Sequence, residues 1–350
     1  MDRRLSVAPM MDWTDRHCRY FLRGFSPDAL LYTEMITAAA IVRGDARRLL
    51  AFDAEEHPVA LQLGGSEPRE LAAAARAGEE AGYDEINLNC GCPSDRVASG
   101  AFGACLMREP ARVADCVAAM RAAVSIPVTV KMRIGVASGA REQARGELSK
   151  FDDADFEALR GFVSQLRDAG CQVAIVHARK AVLGGLSPKD NREVPPLRYD
   201  VVRQLKQEFR DLPVIVNGGF RTAASVLDAL TWCDGVMLGR EAYHRPFVLS
   251  ELQRMLGGGR FESPGREALL ERMTRYAQRQ LAQGDRLSRI TRHMLGLYAG
   301  EPGARDYRRL LSEGARAAGA GPQLLREAAT AAREARGSAP EPTVAGGSSG

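Results

Sequence analysis

Lysine is scarce in this chain: only five of 48 basic residues are lysine, at positions 131, 150, 180, 189 and 206. A lysine within a motif is thus less a generic surface charge than elsewhere, which singles out Lys131. Cysteine is sparse too, seven residues with no CxxC or CxxH spacing. That pattern argues against a zinc site or a disulfide framework and fits reduced thiols in a cytoplasmic protein. No metal is expected. No run of eighteen consecutive residues is apolar, and the start Met-Asp-Arg-Arg-Leu-Ser-Val lacks the apolar core of a secretory signal. Neither a membrane span nor a leader is expected. No GxGxxG follows the first apolar run, so an open doubly wound sheet with a dinucleotide site lacks support.

What is present is a repeated unit. Eight short apolar runs have strand character: Ser6 to Met10, Leu30 to Met35, Val59 to Leu63, Glu85 to Cys90, Val128 to Arg133, Val173 to Ala178, Val214 to Gly219 and Gly235 to Gly239. The alanine-rich segments between them, such as Glu70 to Glu80 and Ala111 to Val124, favour helix. Eight βα units in about 250 residues predict a (β/α)8 TIM barrel. With 45% hydrophobic residues the chain can bury a full core. The barrel is expected to occupy residues 1–255. Glycine and proline at 257–265 break the pattern, and an all-helical C-terminal domain is expected over 256–320, with helices from Arg266 to Gln283 and Arg286 to Tyr298. Residues 321–350 are assigned to a largely disordered tail, most clearly from Ser338 onward. The net charge is only +4, yet residues 254–316 hold thirteen arginines and seven acids. Basicity is concentrated in the helical domain.

Barrel chemistry sits at the C-terminal strand ends. Here those ends carry Pro9, Met10 and Met11, then Gln62, then Asn87, Asn89 and Cys92, then Lys131 and Arg133, His177 and Arg179, Asn217-Gly218-Gly219, and Gly239-Arg240. Period-2 alternation puts Asn87 and Asn89 on one strand face and Cys90 on the other. Gly91 permits a turn and Pro93 restrains Cys92, so alternation favours Cys92 over Cys90 as the reacting thiol. Ala98 to Cys105, with Gly100 and Gly103, is expected to act as a lid. Alone, this stretch also fits turn-forming amides beside a buried thiol. Convergence of so many polar ends weighs against packing as their explanation. The glycines after strands seven and eight, with Arg240, suit a phosphate. Lys131 and Gln62 suit an electron-rich, amide-like ring edge, which favours FMN over a dinucleotide. Arg305-Asp-Tyr-Arg-Arg309 combines guanidinium groups with an aromatic, suited to phosphates and stacking, or forms a solvated helix face.

Longer motifs carry a resemblance. Ser6-Val-Ala-Pro-Met-Met-Asp-Trp-Thr-Asp-Arg-His-Cys-Arg19, Leu31-Tyr-Thr-Glu-Met35, Gly82-Tyr-Asp-Glu-Ile-Asn-Leu-Asn89, Gly91-Cys-Pro-Ser94, His177-Ala-Arg-Lys180, Asn191-Arg-Glu-Val-Pro-Pro-Leu197 and Thr291-Arg-His-Met-Leu-Gly-Leu297 stand in the chain. Across roughly residues 4 to 315 the sequence resembles the tRNA-dihydrouridine synthase family, most closely its A-type branch. The resemblance implies FMN-dependent reduction of uridine in the tRNA D-loop, at positions 20 and 20a, with NADPH or NADH recharging the flavin. It implies FMN binding by Pro9, Met10, Met11, Gln62, Lys131, His177, Asn217, Gly218, Gly219, Gly239 and Arg240, and Cys92 as general acid. It further implies RNA contacts from Asn89, Lys189, Arg192, Arg305 and Arg308. A monomer is expected. Cys90, where the family usually has an apolar residue, and the long loop from Val136 to Lys150 depart from the family pattern. Two rival readings remain: an FMN barrel oxidoreductase of a free pyrimidine, and an RNA-binding flavoprotein acting as a tRNA chaperone.

Overall fold

Eight parallel strands close on themselves. The computed structural model describes residues 1–93, 102–138, 150–184 and 186–337. The barrel strands are β1 Leu5–Val7, β2 Leu30–Tyr32, β3 Val59–Gly64, β4 Glu85–Cys90, β5 Val128–Arg133, β6 Ala174–His177, β7 Val214–Asn217 and β8 Gly235–Leu238. Each pairs in parallel with its successor, and Leu5 lies opposite Val236 to join β1 to β8. Helices run between the strands, as the sequence pattern predicts. Pro68–Glu80 and Pro110–Ala123 each start on a proline, whose fixed φ suits the first helical turn. Asp152 caps Asp153–Asp168 by accepting from Asp155 N, with a reciprocal bond from the Asp155 side chain.

Two features were not legible in the alternation. A two-residue strand, Ile36–Thr37, extends the sheet beside β3 at its C-terminal end. Val136–Ser138 pairs with Ala181–Leu183 in a separate two-stranded sheet past the ends of β5 and β6. The first of these lies within the long loop noted above, and residues 139–149 fall outside the described residues.

The interior is divided. Ala8, Leu30, Tyr32, Ala60, Val173, Ile175, Ile215 and Met237 form an apolar cluster, drawn mostly from one side of the barrel. The opposite side, β3 to β5, turns Gln62, Glu85, Asn87 and Thr129 inward, all of them buried. The main core lies outside the sheet, against the helices, and includes Cys90.

Among the described residues four helices follow the barrel: Arg266–Ala282, Leu287–Thr291, Ala304–Gly314 and Gln323–Gly337. The second is shorter than the predicted Arg286 to Tyr298. Met294 and Leu297 turn into the core, and a Cβ at Gly296 would come 2.5 Å from the His244 carbonyl oxygen. The chain therefore presses against the barrel there instead of continuing as helix. The fourth helix corrects the tail assignment over 321–337. Leu325, Ala328, Ala329 and Ala332 are buried, so small apolar residues at helical spacing pack it onto the domain. Among the described residues no helix is long and apolar enough to cross a membrane.

Arginines do much of the docking. Arg272 pairs with Glu55, Arg279 with Asp53 and Arg292 with Asp15, all across to the barrel. Tyr20 stacks on Tyr276 of the helical domain with ring centroids 3.9 Å apart, and within the barrel Trp13 stacks on Tyr243 at 4.3 Å. Burial of the last helix gives a direct test. Leu325→Ala should lower the free energy of urea unfolding by about 2–5 kcal/mol, the usual range for a fully buried leucine. A change near zero would return this segment to the tail.

Candidate active site at the barrel mouth

The turn after β4 is held from both sides. Asn89 Oδ1 accepts from Gly91 N at 3.0 Å and Cys92 N at 3.1 Å. The Cys92 carbonyl accepts from Ala104 N at 2.9 Å. Arg133 donates through Nε to the Gly91 carbonyl at 3.2 Å and through Nη1 to the Asn191 carbonyl at 3.0 Å. One buried guanidinium thus joins the Cys92 turn to the turn Asp190–Arg192. Cys92 is half-buried at the mouth, whereas Cys90 is sealed in the outer core and its thiol is driven well above its ordinary range by burial. Cys90 ends β4 on its outward face, and the turn at Gly91, held on Asn89, brings Cys92 to the mouth instead. Of the expected lid, residues 98–101 lie outside the described residues, while Gly103–Arg108 form a 3-10 turn.

Below the mouth runs a chain of polar side chains. Gln62 Nε2 donates to Asn87 Oδ1 at 2.8 Å, and Asn87 Nδ2 donates to Thr129 Oγ1 at 2.8 Å. Thr129 Oγ1 and the Tyr32 hydroxyl both donate to Glu85 Oε1 at 2.6 Å, and Arg3 pairs with Glu85 Oε2 from the barrel floor. Glu85, Thr129 and Arg3 were absent from the sequence-derived site. Glu85 precedes Asn87 and Asn89 at the same two-residue spacing, as Thr129 precedes Lys131 and Arg133, so extending the alternation inward would have found both.

The rim is cationic. Burial, with the charge of Arg133 adding, pushes the Lys131 ammonium down to about 7, and the Arg133 guanidinium is pushed by burial to about 9. Burial and the nearby charges of Arg133 and Lys131 hold the His177 imidazole neutral. Partial burial of their side chains lowers Arg179 and Arg192 as well, and the charge of Arg240 lowers both. Glu193 pairs with Arg240 Nη1 at 2.6 Å, and Arg179 reaches the Glu193 and Pro195 carbonyls. Among the described residues Lys131 Nζ has no hydrogen-bond partner. Burial and mutual repulsion thus lower a group of cations gathered at one rim.

The glycines beside it shape a cradle. At Gly218, with φ +116°, a Cβ would stand 2.7 Å from the His177 ring; at Gly219, with φ +79°, it would stand 2.4 Å from Leu197. Only glycine suits either position. Asn217 Nδ2 donates to the Met237 carbonyl at 2.7 Å, fixing β7 to β8 below the glycines. On the β1 side, Met10 N bonds to Thr14 Oγ1 at 2.9 Å, and its carbonyl accepts from Trp13 N and Thr14 N. This tight turn leaves Pro9 and Met10 half-buried and Met11 exposed at the rim. The donors, cations and glycine backbone fit a phosphorylated flavin: Gln62, Lys131 and His177 would meet its ring, and Gly218, Gly219, Gly239 and Arg240 its phosphate.

The proposed RNA contacts divide into two surfaces. Lys189 and Arg192 are exposed on a turn braced from within by Asn191, whose Oδ1 accepts from Val182 N at 2.8 Å. Arg305 and Arg308 are exposed on Ala304–Gly314 and have no acidic partner among the described residues, whereas Arg309 pairs with Asp306. One sequence reading is corrected here. Tyr307 is fully buried against Tyr298, centroids 4.5 Å apart, because it falls on the core face of its helix, so it cannot stack on a base. Asn89 is also buried, its amide engaged with the Cys92 turn and with Met35 Sδ.

Comparison with known proteins agrees with this geometry. Residues 6–334 match the model of the dihydrouridine synthase (Dus) family. The tRNA-dihydrouridine(20/20a) synthase of Xanthomonas campestris pv. campestris is 56% identical over 325 residues, covering 93% of this chain and 92% of that protein. Those of Pseudomonas aeruginosa and Vibrio cholerae are 54% and 51% identical, over 89% and 93% of this chain and 90% and 95% of theirs.

The separation of the thiols is open to direct measurement. Brief iodoacetamide treatment of the folded protein, read by peptide mass spectrometry, should label Cys92 and leave Cys90 unmodified until the chain is unfolded. Equal labelling of both would contradict the sealed position of Cys90.

Proposed function

The chain belongs to the dihydrouridine synthase family, and from that premise we propose that it reduces uridine to 5,6-dihydrouridine at positions 20 and 20a of the tRNA D-loop. The observation that carries the reading is the single mouth where a half-buried thiol, a cationic rim and a glycine cradle meet. When bound there, FMN supplies the hydride for C6 of the uracil and is recharged by NADPH or NADH. Cys92 then gives its thiol proton to C5, where the electron pair of the former double bond forms the new C–H bond. For that role Cys92 must rest as a thiol, and its turn must hold the sulfur beside the base. Asn89 and Arg133 supply that restraint. Lys131 contributes positive charge at the ring edge, His177 a neutral imidazole, and Arg240 charge for the phosphate.

A stacked uridine cannot reach the bottom of such a mouth. The tRNA must splay it out, at a cost of roughly a few kcal/mol, which phosphate contacts offset. In this reading Lys189 and Arg192 act at the rim and Arg305 and Arg308 on the helical domain. Recognition is of tRNA shape, since A-form RNA hides its base edges from side chains.

Two results are expected. Chemically reduced protein, mixed anaerobically with unmodified tRNA, should be reoxidised far faster than with free uridine, and Cys92→Ala should slow the tRNA reaction by about 10²–10⁴-fold, the range for a general acid. Rapid turnover of the free pyrimidine, or a Cys92→Ala variant as fast as the parent, would contradict the assignment. The second result concerns Lys131, whose ammonium titrates near 7 before a ligand arrives. An electron-rich ring edge raises that value, so above pH 7 binding takes up a proton, while below it the lysine is already charged. FMN affinity should therefore fall as pH rises above about 7, by at most about tenfold per unit, and Lys131→Met should abolish this dependence. Titration by flavin fluorescence reads both.

A further inference from the structure

A buried carboxylate can accept hydrogen bonds but not donate them, and this fixes the direction of every bond in the chain above it. Glu85 Oε1 receives both the Tyr32 and the Thr129 hydroxyl, at 2.6 Å each, while Arg3 holds Oε2. Thr129 has one hydroxyl proton, directed to Glu85, so its oxygen must accept from above. Asn87 therefore presents its NH2 to Thr129 and its carbonyl to β3, where it receives Gln62 Nε2. One Nε2 proton is given to Asn87, which orients the amide, and Gln62 Oε1 accepts nothing among the described residues and is the acceptor left for whatever lies at the mouth. The register supports this directly: Gln62, Asn87 and Thr129 lie side by side across β3, β4 and β5.

We propose that Glu85, on the barrel floor, is a positioning residue that sets the donor–acceptor polarity of Gln62 toward the cofactor, with Thr129 and Asn87 as the links. The proposal rests on the reading that the pyrimidine edge of FMN lies against Gln62. That edge has one N–H, at N3, between two carbonyls, and an acceptor at Gln62 Oε1 is the partner it requires. Reversed, the chain would set an NH2 group against that N–H. Packing alone gives no reason for the arrangement. Barrel interiors are ordinarily filled by branched apolar side chains, and a buried ion pair is often no more stabilising than an apolar replacement. Glu85 is fully buried, as are Asn87 and Thr129.

The test uses Thr129→Val and Thr129→Ser, which leave the ties of Glu85 to Arg3 and Tyr32 in place, with Glu85→Gln as a third variant. Apo-proteins are titrated with FMN labelled with 15N at N3, recording the dissociation constant and the N3–H chemical shift. Thr129→Val frees the Asn87 amide to reverse and should weaken FMN binding about tenfold, the value of one well-placed hydrogen bond. It should also move the N3–H resonance upfield. Glu85→Gln, able to donate to Thr129, should do the same, whereas Thr129→Ser should keep both parent values. Thr129→Val and Glu85→Gln that melt cooperatively, bind FMN as the parent does and show its N3–H shift would overturn the proposal while leaving the flavin reading intact. A parent protein that binds no FMN would overturn both.

Discussion

Side chains fill the interior of a closed barrel of eight strands, so a polar group turned inward costs stability unless it is hydrogen-bonded, most directly by a neighbouring strand. In this chain the requirement falls on β3, β4 and β5. Their inward residues rise from Glu85 on the floor through Gln62, Asn87 and Thr129, side by side, to Asn89, Lys131 and Arg133 at the mouth. Glu85, Thr129 and Asn87 are satisfied inside the protein, while Gln62 keeps Oε1 for the mouth. At the top, Asn89 and Arg133 spend their hydrogen bonds on the Cys92 turn, and Lys131 is left without a hydrogen-bond partner among the described residues. The same strands that bury a polar ladder thus end in a restrained thiol and an unanswered cation. The opposite, apolar side of the interior needs no such ladder and packs as an ordinary barrel core.

A second dependence runs between the helical domain and the turn at Met10. Asp15 caps the helix Arg16–Arg23 through the His17 and Cys18 amides, and it also meets His293 at 3.0 Å and Arg292 at 2.6 Å. Burial would raise its pKa, but the hydrogen bond and charge of His293 reverse this and hold the carboxyl well below its usual range. Trp13, two residues earlier, stacks on Tyr243, whose hydroxyl donates to the Arg292 carbonyl at 3.3 Å. The segment that shapes the β1 side of the mouth is therefore fastened to the domain that carries Arg305 and Arg308. Much of that domain's arginine excess is used in such fastening. Arg260, Arg286, Arg305, Arg308 and Arg316 remain without acidic partners among the described residues, so the surface free to meet phosphates is smaller than composition suggests.

The sequence made the barrel legible because each βα unit repeats one simple pattern: a short apolar run, then an alanine-rich amphipathic stretch. Strand-end residues followed from the same pattern, and the turn offered by Gly91 after an outward-facing Cys90 singled out Cys92. What it concealed has physical causes. Glu85 and Thr129 sit where a strand usually carries apolar residues, and their purpose emerges only when β3, β4 and β5 are set side by side. Tyr307 looked available beside its arginines, yet helical spacing turns it to the core while Arg305 and Arg308 face outward. The final helix reads as low-complexity alanine and arginine, but alanines at Ala328, Ala329 and Ala332 allow a close approach that larger residues would prevent.

The measurement that bears most directly on this account is the position of the product. Unmodified tRNA transcript, treated with the purified protein, FMN and NADPH, can be mapped for dihydrouridine residue by residue by mass spectrometry. Dihydrouridine confined to positions 20 and 20a is the predicted result. Dihydrouridine elsewhere in the molecule, or none from a protein that has bound its flavin, would contradict it.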